Sequence, residues 1–179
     1  YIANPDELDG SGIHTWLLES MSLSNLLNEC ADMHSRILFE KVPSSSRWLT
    51  VLVNAMRDGK AIQMSYKSFR RTEPTTFEAH PYCLKIFRQR WYMLAHTIGK
   101  EELRIYSLDR IADIEVLDTP LLLPENFDAA DFFSYYFGII IGHNIKPSIL
   151  ELKASAEQAR YLESLPLHSS QEVVETTPE

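Results

Sequence analysis

At 179 residues, with 45% apolar and 23% charged residues, the chain has the balance of one or two globular domains that bury a real core. Its formal charge of −8 disfavours non-specific binding to a polyanion, since that affinity comes from phosphate neutralisation and counterion release. No apolar run approaches the roughly 20 residues of a membrane span, and no charged segment followed by an apolar core marks a secretory signal. Cys30 and Cys83 lack the spacing of a disulfide framework or a metal knuckle, which fits a reducing cytoplasm.

The first residue is Tyr1, which reads as the start of a piece excised from a longer protein. Asn4-Pro5 and Gly10-Ser11-Gly12 mark irregular structure, and the glycines do not form a nucleotide fingerprint: no strand precedes them and the third glycine is absent. Over residues 13–40, Ile13, Trp16, Leu17, Leu23, Leu26, Leu27 and Ile37 recur at helical spacing and predict short packed helices. Pro43-Ser44-Ser45-Ser46 breaks the pattern, and Ser45 or Ser46 can cap the next helix by accepting from its free N–H groups. Leu49, Leu52, Val53 and Met56 form one stripe of that helix, a core or dimer face, and Asp58-Gly59 supplies the stop.

A different regime begins at Lys60. Ile62, Met64 and Tyr66 alternate with Gln63, Ser65 and Lys67 over a first strand, a basic loop follows over residues 68–74, and further strands are predicted over 75–86, 90–97, 103–107 and 114–117. Trp91 shares parity with Met93 and Ala95, so it is expected to be largely buried on the apolar side, with Arg90 and Tyr92 on the other. Five short strands with brief turns suit a small closed barrel, although composition and spacing do not distinguish that barrel from an open sheet. Charge is concentrated here: from Lys60 to Arg110 ten Lys/Arg stand against five acids, a local +5 in a chain of −8. Arg90, Arg104 and Arg110 lie beside Trp91, Tyr92 and Tyr106, and guanidinium forks next to aromatic faces suit an anionic, planar ligand.

Thr119-Pro120 and Pro124 end the strands. Asp128 with Asp131 then starts an aromatic helix through Phe132, Phe133, Tyr136 and Phe137, closed by Gly138; so many aromatics must be buried against the barrel or against a partner, and packing on the chain's own helical segment is favoured over an oligomer face. The tail reads as a strand over 149–154, a helix over 156–164 with Ser155 and Gln158 as a capping pair, and a strand over 172–174.

Catalysis finds no support in the motifs. There is no GxSxG elbow, no HExxH and no GxxxxGK[ST], and the six histidines are scattered without metal-ligand spacing, so neither a catalytic residue nor a metal or cofactor is expected.

Trp91-Tyr92-Met93, followed by Leu108-Asp109-Arg110-Ile111, resembles the signature of the WYL domain, the sensor module of many bacterial transcriptional regulators. Ser65-Tyr66 and His80-Pro81-Tyr82 resemble further polar and aromatic positions of that family, and Met93 stands where leucine is usual, a swap that conserves core volume. The resemblance implies an α+β fold: a small Sm-like or SH3-like β-barrel of about five strands over residues 60–120, flanked by helices. A helical linker or dimerisation segment over 1–59 precedes it. An aromatic helix and connector over 121–145 and the incomplete start of a C-terminal α/β extension over 146–179 follow.

It also implies a cytoplasmic, homodimeric regulator whose winged helix-turn-helix, the part that meets duplex DNA, is not among these residues. Ser65, Tyr66, His80, Arg90, Tyr92, Arg104 and Arg110 are the ligand-binding candidates, for a nucleotide-like or single-stranded nucleic-acid effector. The alternative is a dimerisation scaffold with no small ligand.

Overall fold

The computed structural model describes residues 46–142 and 146–176, all within one unit spanning Val42–Glu179. The helices expected over 13–40 and the cap expected at Ser45 or Ser46 lie outside the described residues and side chains. Helix α1 (Ser46–Arg57) ends where Gly59 takes φ +63°, the left-handed turn that glycine adopts without a Cβ penalty. Its buried residues are Trp48, Leu52 and Ala55, whereas Val53 of the expected stripe is 49% exposed. The helix is rotated by about one residue from the sequence reading, because Trp48 anchors it: the buried indole N–H donates to the Ile111 carbonyl at 3.0 Å.

Five strands follow: β1 (Lys60–Tyr66), β2 (Thr75–Phe87), β3 (Arg90–Thr97), β4 (Leu103–Ser107) and β5 (Ile111–Pro120). They form one antiparallel sheet in the order β4-β3-β2-β1-β5. The fold is therefore α+β with a five-stranded sheet whose hydrogen-bonded ladder is open: β4 and β5 are its edges. These edges are joined by a single 3-10 turn at Leu108–Arg110, which brings Ser107 and Ile111 together at one end. β5 begins three residues earlier and ends three residues later than the alternation indicated, since its flanking residues are mostly exposed while its backbone still pairs with β1.

Pleat parity divides the sheet into two faces. Ile62, Met64, Tyr66, Ala79, Met93, Ala95 and Tyr106 point to the inner face and join Trp48, Leu52, Ala55, Leu108 and Ile111 in the main core. Full burial of a side chain such as Ile62 contributes roughly 1.5–3 kcal/mol. Trp91 packs on this core with the parity expected of it, but it is half-buried rather than largely buried, because it lies near the hairpin end, four positions before the fully buried Ala95. On the outer face Cys83 and Leu94 pack with Phe133. A register shift between Pro81 and Cys83 turns Cys83 outward and Leu84 inward; Pro81, which has no N–H for the ladder, sits at this bulge.

The connector after β5 covers the outer face. Helix α2 is shorter than the sequence suggested, Ala129–Phe133, with the Asp128 carboxylate accepting from the Asp131 N–H at 2.8 Å. The aromatics in and before it pack on the sheet, Phe133 against Cys83 and Leu94 and Phe127 against Tyr82, while most of the helical segment expected to receive them lies outside the described residues. The sheet's outer face offers the nearest broad apolar surface to a chain leaving β5. Gly138, at φ +65°, lies against the Phe87 ring. In the tail, helix α3 (Ala156–Ser164) forms with the Ser155 hydroxyl accepting from the Gln158 N–H. The strands expected over 149–154 and 172–174 are absent: the segments have no ladder partner among the described residues, and side chains such as Ile149, 96% exposed, stand free of a core.

Candidate functional site

One end of the inner face, where β1 leaves the sheet and β4 turns into β5, carries a cluster of aromatic rings and guanidinium groups. Tyr66 is the last residue of β1. Its ring meets Tyr106 edge to face at 5.0 Å between centroids, and Phe77 lies 5.5 Å from Tyr106. The Tyr66 hydroxyl accepts from the Ser107 N–H at 3.3 Å, and the Tyr106 hydroxyl shares a 2.6 Å hydrogen bond with the Thr97 hydroxyl. Burial raises both phenol pKa values, opposed at Tyr66 by the Ser107 hydrogen bond and Arg110 and at Tyr106 by the Thr97 hydrogen bond and Arg104. Both phenols therefore stay neutral at neutral pH.

Arg110 sits on top of this cluster. Its guanidinium carbon is 5.0 Å from the Tyr66 centroid and 3.8 Å from that of Phe69, and its Nε donates to the Lys67 carbonyl at 3.0 Å. The backbone N–H of Lys67 donates in return to the Arg110 carbonyl at 3.0 Å, so the β1–β2 loop and the 3-10 turn hold each other. Among the described residues no carboxylate pairs with Arg110. Phe69 is 85% exposed, and Arg70 and Arg71 follow it in the same loop, also exposed. An exposed aromatic face and an unpaired, planar guanidinium beside two further arginines are the groups that stack a base and meet a phosphate.

Of the seven sequence candidates, Tyr66 and Arg110 belong to this cluster, and Arg104, exposed on β4 opposite the inward-facing Ala95, shares its face of the sheet. The other four lie elsewhere. Ser65 has the opposite parity to Tyr66, paired with Thr76 and Asp113. Tyr92 is half-buried on the outer face, opposite Lys85. Arg90 turns to Asp109, Nη1 to Oδ2 3.9 Å, and Asp109 also accepts from the Ser107 hydroxyl, so these residues brace the 3-10 turn from which Arg110 projects. His80 is fully buried on the outer face, its ring stacked 6.0 Å from His96.

Phe69 was not among the candidates, nor were Tyr106 and Thr97. The signal for Phe69 was present in Ser68-Phe69-Arg70-Arg71, an aromatic residue interleaved with arginines in a loop. Thr97 carried none, because its role comes from the pairing of β3 with β4.

The remaining chemistry-bearing groups do not assemble into a metal site: among the described residues no group of three His, Cys, Asp or Glu side chains converges. Cys83 is a buried free thiol whose pKa burial pushes up to about 11, which leaves it inert. No helix among the described residues is long and apolar enough to cross a membrane.

Residues 47–116 match the family model of the WYL domain. Among solved structures the chain is similar to proteasome accessory factor B/C (PafBC) of Arthrobacter aurescens, at 24% sequence identity and a TM-score of 0.42. That similarity covers 46% of this chain and 13% of the other. No curated protein matches the chain.

Proposed function

We propose that the segment matching the WYL domain is the effector-sensing module of a transcription regulator, and that the surface of Tyr66, Phe69, Arg104 and Arg110 takes a nucleotide-like or single-stranded nucleic-acid effector. The observation that carries this reading is Arg110, stacked between Phe69 and Tyr66 with no carboxylate partner and with Arg70 and Arg71 alongside. Stacking on an exposed ring tolerates any base, and a guanidinium gives the phosphate a charge-assisted, bidentate contact. The match over residues 47–116 supports the regulatory part of the reading.

In the full protein, effector binding would bias an attached DNA-binding domain, and the protein would work as a cytoplasmic homodimer without chemistry of its own. The Sm-like or SH3-like barrel belongs to the same proposal. Its support is the short 3-10 turn that connects the two edge strands, β4 and β5, as closure of such a sheet would require. His80, Tyr92, Arg90 and Ser65 act in this reading by shaping the sheet beneath and behind the site.

The test is a fluorescence-anisotropy screen of the chain against labelled short oligonucleotides, single- and double-stranded, with nucleotides and cyclic dinucleotides as competitors. Saturable binding of single strands or nucleotides over duplex is the expected result. The absence of binding to every probe, together with a stable dimer in sedimentation, would leave the scaffold reading in its place.

A further inference from the structure

A cavity of about 340 Å³ opens on the outer face of β2, on the opposite side of the sheet from Tyr66. Its walls come from three parts of the chain: Cys83 and Lys85 of β2, Ala130, Phe133 and Ser134 of the α2 segment, and Ser169 of the tail. The volume lies within the range of small-molecule pockets, which starts at about 300 Å³.

Among the described lining residues, Lys85 is the one that carries a charge. Lys85 is half-buried, with its ammonium 4.0 Å from the centroid of Phe133. Arg57, Lys60 and Arg90 each have a carboxylate partner, but among the described residues none pairs with Lys85. The Cys83 thiol does not serve, because burial keeps it protonated. The Phe133 ring offers its negative face to the ammonium, a contact that holds the cation at the cavity wall. A partly desolvated cation in an apolar setting recruits an anion where one can reach it. Desolvation also lowers the Lys85 pKa, a strain on the charged form that a bound anion would relieve.

We infer that this cavity binds a small monocarboxylate with an aromatic or branched apolar body. The carboxylate meets Lys85 and the body lies against Phe133 and Ala130. A single cation matches a single negative charge, and among the described residues the lining offers no second cation for a phosphate dianion. Because Ser169 forms part of the wall, such a ligand touches the sheet, the connector and the tail at once. Its occupancy therefore reports on how the tail is held. This site lies on the other face from the effector surface proposed above, and it stands or falls without it.

The test is an NMR titration of the isotope-labelled chain with phenylacetate and with its neutral isostere phenylacetamide. Phenylacetate is expected to give saturable shifts at Cys83, Lys85 and Ala130, and to bind at least about tenfold more tightly than the amide, the discrimination of one charge-assisted contact. Lys85→Gln should lose at least about that factor, while Arg110→Ala should leave the affinity unchanged. Ala130→Phe fills the cavity without touching the charge and should abolish binding, which keeps the test valid if Lys85→Gln does not fold. Equal binding of acid and amide, retained affinity in Lys85→Gln or Ala130→Phe, shifts confined to other residues, or no shifts at all would each overturn the inference.

Discussion

The backbone N–H of Leu122 donates to Nδ1 of His80 at 3.1 Å, so the ring of this fully buried histidine holds the chain as it leaves β5. That bond requires Nδ1 to be unprotonated. The other nitrogen, Nε2, has no hydrogen-bond partner among the described residues, and Glu78 Oε1 is 3.7 Å away.

Acidification should therefore weaken the fold through His80. Desolvation first, and His96 with it, lower the His80 pKa below 6.5, while Glu78 opposes them. A histidine whose folded pKa is depressed binds its proton more readily when unfolded. Its contribution is full above about 6.5 and is lost as pH falls from there towards the folded pKa, at up to about 1.4 kcal/mol per pH unit. Thermal melts across that window should show a steeper loss for the wild type than for His80→Asn, whose Oδ1 can accept from Leu122 at any of these pH values. Equal slopes would show that this bond is not the sensitive one.

Gly138 and Phe87 are in contact, and the contact can be tested by a cycle. An added Cβ on Gly138 would fall 2.6 Å from Cε2 of the Phe87 ring, and the φ of +65° disfavours any side chain there. Gly138→Ala should cost about 1–3 kcal/mol in chemical denaturation. Combined with Phe87→Ala, its added cost should shrink to the backbone part alone; full additivity would mean that the two do not touch.

The β2–β3 hairpin turns through Arg88 and Gln89 at φ +46° and +62°, a two-residue loop of type I′ made without asparagine or glycine. Replacing the pair by Arg88→Asn with Gln89→Gly should stabilise the protein by about 1 kcal/mol, read as a higher denaturation midpoint at constant slope. A lower midpoint would contradict the turn assignment.

Trp91 is half-buried, so Trp91→Ala should cost about 2–3 kcal/mol, less than the 3–5 kcal/mol typical of a fully buried large aromatic. A midpoint unchanged from the wild type would contradict its place against the core.

Much of this architecture was legible in the sequence because it is local. The parity of Ile62, Met64 and Tyr66, the stop at Gly59 and the caps at Asp128 and Ser155 are each set by neighbours within a few residues. What was missed or left open depended on partners distant in the chain. Trp48, and not Leu49, anchors α1 because it reaches the Ile111 carbonyl, 63 residues away. The aromatics of α2 found the outer face of β2 and β3, which no period in their own segment reveals. The strand patterns of the tail did not become strands, because alternation alone supplies no ladder partner. In the candidate site, residue types were readable but faces were not: Ser65 and Tyr66 are adjacent in sequence and on opposite sides of the sheet, and the bulge at Pro81–Cys83 shifts the parity of the later part of β2.

The central claim, an effector surface built on Tyr66, Phe69 and Arg110, is tested most directly by the affinity of a labelled oligothymidylate for the wild type, Phe69→Ala and Arg110→Ala at two salt concentrations. Loss of a stacking ring should weaken binding by about 1–3 kcal/mol at both salts. Loss of Arg110 should weaken it and also flatten the salt dependence by about 0.7 in the log–log slope, the counterion released by one phosphate contact to a single strand. Affinity and slope unchanged in both variants would contradict the assignment of this surface.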